Sequence, residues 1–425
     1  AKVKALNAAS EGGRTDWTHD EVKAALDSVG GAWAHYQQFG AAEGLNPSNA
    51  FSAEGYYAAK AAALGGEWTA ASVKEYFVAN GINPLDHYLE LGKDEGVAPV
   101  AAPESERVPA DPTTPVVGET FTLTTGRDYA GVEDPALGAK FDNVIKMTEG
   151  NDTIEGVVSA LSSENTFNTN DLINAGAGKD TAKIALNGNF TGFTAEGGMS
   201  GVENVELTNA GAIARTFDAK GVTGVEQYAL KGLVSLTNLV DTKAGVSISN
   251  IAETAGVGIG FTADAVKGTA DALTVGLNGL GTAEVKGTSP VAQKTVTVTA
   301  NGIETLNVNA TGNNFVALAG DAVKAINVAG AGSITTGVTA TTKTFDASAA
   351  TGNVDVTLAN ATGVTSAKLG AGNDKLTIVA DNDVTANATL AGGEGEDTLV
   401  VSTGAAATVQ FNQTGFETIQ LGALA

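Results

Sequence analysis

The sequence has no cysteine among its 425 residues, so no disulfide can staple it, and any cross-link must come from packing or a bound metal. Histidine is nearly missing: His19, His35 and His87 all precede residue 90. The long remainder therefore lacks the side chain most used for acid–base work near neutral pH. Basic residues are scarce, with 24 Lys and Arg against 48 Asp and Glu and a formal net charge of −24. That balance leaves no phosphate-binding footprint, so nucleic acid is not the expected partner. It also makes the chain repel itself unless cations intervene. Aromatic residues thin out beyond residue 130, and no apolar run approaches the ~18 residues of a membrane span. The first eight residues carry neither an initiating Met nor the apolar core of a secretory signal, which reads as a processed chain or a fragment.

What the chain does have is glycine, 54 residues of it, together with Ala, Thr, Val and Asn. This is the palette of a thin-layered β architecture with tight turns, a solenoid or a sandwich. Residues 1–100 are different: Ala-rich, with helical spacing of apolar residues and an internal duplication. Trp17-Thr18 with Val22-Lys23 returns as Trp68-Thr69 with Val73-Lys74, and the stretch from His35-Tyr36 to Pro47 returns from His87-Tyr88 to Pro99. Each copy reads as helix, turn, helix. The repeated histidine lacks the His or Cys neighbours of a metal site and is expected hydrogen-bonded at a helix contact. The aromatic residues, including Trp68, Tyr76 and Tyr88, are expected in a helical core. Residues 101–118 contain Pro103, Pro109, Pro112 and Pro115 and read as a semi-stiff linker.

From residue 119 to 425 the pattern is β. Phe121-Thr-Leu-Thr-Thr opens the first strand with period-two alternation. A Gly-apolar-Glu block leading into a short strand then recurs at Gly201-Val-Glu203, Gly224-Val-Glu226, Gly302-Ile-Glu304 and Gly415-Phe-Glu417. The first two are 23 residues apart. Thr-Phe-Asp-Ala occurs at 216–219 and again at 344–347. Stacked coils are the expected arrangement, each burying its apolar face only against its neighbours. Because the glutamates repeat with the coil, a stacking role is expected for them over general acid–base chemistry. Between 231 and 300 the period blurs, which reads either as irregular coils or as a sandwich inserted between two solenoid pieces.

Leu390–Val401 carries the sharpest motif. Gly392, Gly393, Gly395, Asp397 and Leu399 fit G-G-x-G-x-D-x-(apolar)-x, in which glycines make a tight turn open to an ion and the aspartate adds a hard anionic oxygen. Ca²⁺ takes six to eight oxygens at about 2.3–2.6 Å, more than one turn supplies, so a partner turn is expected beside it. Gly370-Ala-Gly372-Asn-Asp374 lacks only the first glycine and lies one coil earlier, Asp374 and Asp397 being 23 residues apart. Two weaker turns are Gly150-Asn-Asp152 and Gly178-Lys-Asp180.

These turns, the Gly-apolar-Glu coils and the Thr-Phe-Asp-Ala blocks resemble the repeats-in-toxin superfamily, and within it the bacterial surface-layer and related self-assembling surface proteins. The helical repeat with His-Tyr-x-x-x-Gly-x-x-Glu-Gly-x-x-Pro is similar to modules of large secreted proteins of that kind. The resemblance implies a right-handed parallel β-solenoid with calcium turns behind a small all-α domain. It implies Gly370, Gly372, Asp374, Gly393, Gly395 and Asp397 as calcium ligands, Gly150, Asp152, Gly178 and Asp180 as further candidates, and export by type I secretion machinery. The sequence departs from the family in having one full nonapeptide and a few partial ones rather than a tandem array, so toxin and lipase activities do not carry over. The expected protein is a non-enzymatic, secreted or cell-surface component that self-assembles into a calcium-dependent lattice or fibre, with cell-surface polysaccharide or lipopolysaccharide as a possible anchor. The alternative is an adhesin or glycan-binding protein acting without self-assembly. It would need an exposed aromatic face.

Overall fold

The computed structural model describes residues 51–93, 95–97 and 117–422 apart from 132–139, 288, 360 and 403–408, with isolated positions between 18 and 46. The chain divides into two compact units, Ala1–Pro115 and Val116–Ala425. Trp17, most of the first helical repeat and residues 101–116 of the proline-rich stretch lie outside the described residues.

In the first unit helix Ala53–Leu64 precedes the second repeat, which forms helices Ala70–Ala79 and Pro84–His87, the last running into a wider turn at Tyr88–Gly92. Short polar residues start each helix. Ser52 accepts the Gly55 N–H, Thr69 and Ser72 cap each other reciprocally, and the Asn83 side chain accepts from Leu85 and Asp86. Phe51, Tyr56, Tyr57, Val73, Phe77 and Val97 form the core. His87 sits against Phe77 and its Nδ1 is 2.9 Å from the Tyr56 hydroxyl, a packing histidine as its sequence neighbours suggest. A Cβ at Gly92 would collide with that hydroxyl, which explains the glycine. Trp68 and Tyr76 depart from expectation: they are 44 % and 51 % exposed, ring edge against ring face, instead of in the core. Trp68 stands just before the N-cap of the helix that carries Tyr76, which is only ten residues long and whose buried side is already filled by Val73 and Phe77.

The second unit is mainly β, with long parallel sheets and every strand pairing parallel. From Thr153–Val158 onward alternate strands go to different sheets, whereas the consecutive strands Asp128–Gly131 and Asn143–Lys146 share one. Among the described residues one sheet has 13 strands, from Thr120–Thr122 to Phe411–Thr414, and faces a 10-stranded sheet that runs from Arg215–Asp218 to Thr418–Leu421. A four-stranded sheet (Asp128–Gly131, Asn143–Lys146, Leu172–Asn174, Gly198–Ser200) takes the second position in the earliest coils. From Thr153–Val158 each turn of chain lays one strand on each of two sheets, on top of the turn before, while Asn143–Lys146 lies on the outer side of Asp128–Gly131. That is consistent with a parallel β-solenoid.

Period-two alternation explains the core. In the 13-stranded sheet Phe121, Ile154, Ala182, Val205, Tyr228, Val246, Val275, Val308 and Val328 stand directly above one another in register. All but Phe121 are buried, and the Val- and Ile-rich column suits a pleated parallel surface. The early coils are longer, Thr120 pairing with Thr153 and Thr153 with Thr181. Phe167, Phe190, Phe193 and Phe217 fill the larger interior they enclose, with ring centroids 4.9–6.1 Å apart. Later coils settle to a shorter step, Val296 pairing with Val316 and Ile334 with Val354.

Among its described residues the segment 231–300 holds no inserted sandwich. Its strands Val234–Leu239, Gly245–Ile251, Ala255–Phe261, Ala272–Leu280 and Val296–Thr299 join the same two sheets in order. The repeat is obscured by excursions between strands, one of them the small antiparallel pairing of Thr282 with Lys294 and Val285 with Val291.

Candidate metal centre

The four turns singled out in the sequence come together as two pairs on different sheets. Asp152 and Asp180 immediately precede strands Thr153–Val158 and Thr181–Leu186 of the 13-stranded sheet, which pair in register. Asp374 and Asp397 immediately precede Lys375–Ile378 and Thr398–Val401 of the 10-stranded sheet, also in register. All four side chains are buried, at 2 % exposure or less.

Within each pair the two aspartates are bonded differently. In the earlier turn both carboxylate oxygens accept main-chain N–H groups. Asp374 Oδ1 accepts from Val354 and Oδ2 from Gly370, each at 2.8 Å. Asp152 Oδ1 accepts from Glu119 and Oδ2 from Thr148, again each at 2.8 Å. In the later turn only Oδ1 is held. It accepts the N–H of the aspartate one coil back, at 2.7 Å from Asp152 to Asp180 and 2.8 Å from Asp374 to Asp397. The Oδ2 atoms of Asp180 and Asp397 are buried with no hydrogen-bond partner.

Backbone conformation accounts for the difference. In the later turns the glycines four and two residues before the aspartate have positive φ: 91° and 124° at Gly176 and Gly178, 108° and 127° at Gly393 and Gly395. Side chains disfavour that region. Gly370, Gly372 and Gly150 are not among the positive-φ glycines, and their turns keep the donor to Oδ2. A Cβ at Gly395 would also collide with the Gly372 carbonyl oxygen, and one at Gly393 with that of Gly370. Carbonyls of one coil therefore lie directly under the glycines of the next.

A buried carboxylate oxygen without a donor is costly. Burial pushes the Asp180 carboxyl up to about 6, with Asp152 and Glu203 adding in the same direction. Burial likewise raises Asp397 and Asp374. Among the described residues no Lys or Arg forms an ion pair with Asp152, Asp180, Asp374 or Asp397. Nor do three or more His, Cys, Asp or Glu side chains converge as a metal site among those residues. A cation here would take most of its ligands from main-chain carbonyls, with one carboxylate oxygen per site. Hard, oxygen-seeking Ca²⁺ accepts such a set, whereas a site with neither thiolate nor imidazole does not suit Zn²⁺.

Several carboxylates of the same kind escaped the sequence reading. Asp128 opens strand Asp128–Gly131 and Asp171 immediately precedes Leu172–Asn174; both are buried, and the Asp128 N–H donates to Asp171 Oδ1 at 2.9 Å. Burial pushes the Asp171 carboxyl up to about 7, although N–H groups of Asp128 and Asn168 oppose the rise. The signal was present: Thr124-Thr-Gly126-Arg-Asp128 and Thr148-Glu-Gly150-Asn-Asp152 share Thr-x-Gly-x-Asp, and in both the threonine hydroxyl donates to the aspartate. The Gly-apolar-Glu glutamates join the same columns. Glu203, Glu304 and Glu417 accept the N–H of Asp180, Asp271 and Asp397 at 2.7–2.9 Å. No family model matches the chain, and neither a curated protein nor a solved structure does.

Proposed function

We propose that the chain is a structural protein of an extracellular lattice or fibre, its β unit a right-handed parallel β-solenoid locked by Ca²⁺. The observation that carries this reading is the pair of buried, donorless oxygens, Asp180 Oδ2 and Asp397 Oδ2, in equivalent turns. In each turn the aspartate supplies the anionic ligand. The carbonyls of the stacked glycines, Gly150 and Gly178 in one pair and Gly370, Gly372, Gly393 and Gly395 in the other, supply neutral ones. Asp152 and Asp374 hold the neighbouring turn in shape through main-chain bonds.

The physical sequence is simple. Without calcium, a chain of net charge −24 must bury carboxylates that have no counter-charge, and the coils are held apart. Millimolar calcium, matched to the ~10⁻⁴–10⁻³ M affinities of extracellular modules, neutralises the turns and couples binding to coil stacking. Stacked coils leave parallel sheet edges able to join other copies, a hazard in most proteins and a building device here. The partners on this reading are further copies of the chain, the type I secretion machinery that exports it, and a cell-surface polysaccharide or lipopolysaccharide that anchors it.

Electron microscopy of the full chain tests the proposal. Ordered sheets or filaments are expected at millimolar calcium, dispersed by chelator and restored by calcium. A chain that binds calcium and stays monomeric sinks the lattice reading. The second reading, a glycan-binding surface protein, draws on Trp68 and Tyr76, an exposed aromatic pair with ring centroids 6.1 Å apart. The β unit offers no such platform, since none of its described Phe or Tyr residues is exposed. Saturable sugar binding by a monomer, lost in Trp68→Ala, would favour it.

A further inference from the structure

Each donorless carboxylate belongs to an aspartate whose own N–H is tied down by the coil that follows. Asp180 donates to Glu203 Oε2 at 2.8 Å and Asp397 to Glu417 Oε2 at 2.7 Å. Both glutamates close a Gly-apolar-Glu block whose glycine has positive φ, 65° at Gly201 and 66° at Gly415. Those glycines lie on the turn itself. A Cβ at Gly201 would stand 2.9 Å from the Gly176 nitrogen, and one at Gly415 would stand 3.2 Å from both the nitrogen and the oxygen of Gly393. A third case has the same form: Asp271 donates to Glu304 Oε2 at 2.9 Å, and Gly302 has φ 79°. Among the described residues the aspartates with a buried, partnerless oxygen are Asp180, Asp271 and Asp397. These are the same three whose N–H is held by such a glutamate.

An N–H donated to a carboxylate is charge-assisted and fixes the peptide plane that carries it. With Oδ1 engaged by the previous coil and the N–H held by the next, the aspartate is gripped from both sides and has one oxygen to spare. We propose that Glu203 and Glu417 are positioning residues for the cation turns: neither touches the ion, and each orients the ion-binding aspartate through its main-chain N–H. The Gly-apolar-Glu block is then the closing half of the turn, contributed one coil later. This inference rests on reading the turns as calcium sites.

The test uses the full chain carrying Asp180→Asn, which leaves one turn to observe, and measures calcium binding by titration calorimetry. Glu417→Ala is expected to weaken binding roughly 10–100-fold, the usual cost of losing a group that orients a ligand. Glu417→Gln is expected to stay within about threefold of the parent, because its amide oxygen still accepts the Asp397 N–H. Equal losses in Ala and Gln would assign the effect to charge and overturn the proposal. So would unchanged affinity in Glu417→Ala, whether or not its melting temperature falls, since that marks a role in coil stacking alone. If neither wild type nor the Asp180→Asn parent binds calcium, the calcium reading itself has failed, an outcome distinct from both.

Discussion

At the scale of the residue, Asp374 and Asp397 sit in nearly the same motif and differ in what holds their second oxygen. The deciding groups are the glycines upstream: ordinary φ at Gly370 keeps a donor on Asp374, and positive φ at Gly393 removes it from Asp397. Asp397→Asn therefore separates the two roles of that side chain. The amide oxygen still accepts the Asp374 N–H, while the buried charge disappears. Thermal melts are expected to show the variant at least as stable as wild type in chelator and less stable than wild type in millimolar calcium. Titration gives a second check in calcium-free buffer. The folded-state pKa of Asp171 is raised to about 7 from 3.8 by burial, so across that interval the folded protein holds a proton that the unfolded chain has released. Stability contributed there is greatest below about pH 4, falls as pH rises, and is fully lost above about 7. Asp180, raised to about 6 by burial, acts in the same sense. Urea midpoints should fall between pH 4 and pH 7, and Asp171→Asn should shrink the slope. The motif residues themselves were legible from sequence because glycine and aspartate at fixed spacing have few other uses. The donorless oxygen was not, since it depends on φ at Gly393 and Gly176, which the letters do not encode.

At the scale of the element, the strands were legible and their assignment to sheets was not. Every Gly-apolar-Glu block does lead into a strand, as at Asn204–Thr208, Gln227–Lys231, Thr305–Thr311 and Thr418–Leu421. The first three belong to the 13-stranded sheet and the last to the 10-stranded one. The two Thr-Phe-Asp-Ala blocks likewise lie on opposite sheets, in Arg215–Asp218 and Thr344–Ala350. A landmark marks a kind of turn and not a place on the coil, because period-two burial serves either sheet equally. The blurred segment 231–300 misled for a related reason: its strands keep the pattern while the excursions after Phe261 and Leu280 change the spacing. What the stack requires is whole coils. Thr305 pairs with Ala325 and Asn313 with Ser333, both 20 residues on. Deleting residues 305–324 removes one complete coil and brings Ala325 into the register Thr305 occupied. That variant is expected to keep its β circular dichroism and a cooperative melt. Deleting residues 305–314 moves every later strand to the wrong sheet and is expected to abolish both.

At the scale of the whole β unit, contacts run between neighbouring coils, so stability is a sum of local terms and the end coils have one neighbour instead of two. Among the described residues, strand Thr418–Leu421 is outermost in its sheet and pairs on one side only: Ile419 stands in register with fully buried Leu399 yet is 52 % exposed, and Leu421 is 81 % exposed. Amide hydrogen exchange in the full chain is expected to be fastest in residues 411–421 and slowest in the central strands between 296 and 357, a gradient that calcium steepens near 397. Uniform protection along the stack would contradict the nearest-neighbour account.

The hydrogen bonds that join the carboxylate columns all run one way, from the N–H of an earlier coil to the side chain of a later one. Each column thus has a direction, like an arrow, from Glu119 through Asp152 and Asp180 to Glu203 in one and from Val354 through Asp374 and Asp397 to Glu417 in the other. The strands of the stack share that sense, since each pairs parallel with its neighbour. On the proposed assembly reading, copies added in that same sense would give a polar thread with a distinct head and tail, able to lengthen without closing on itself.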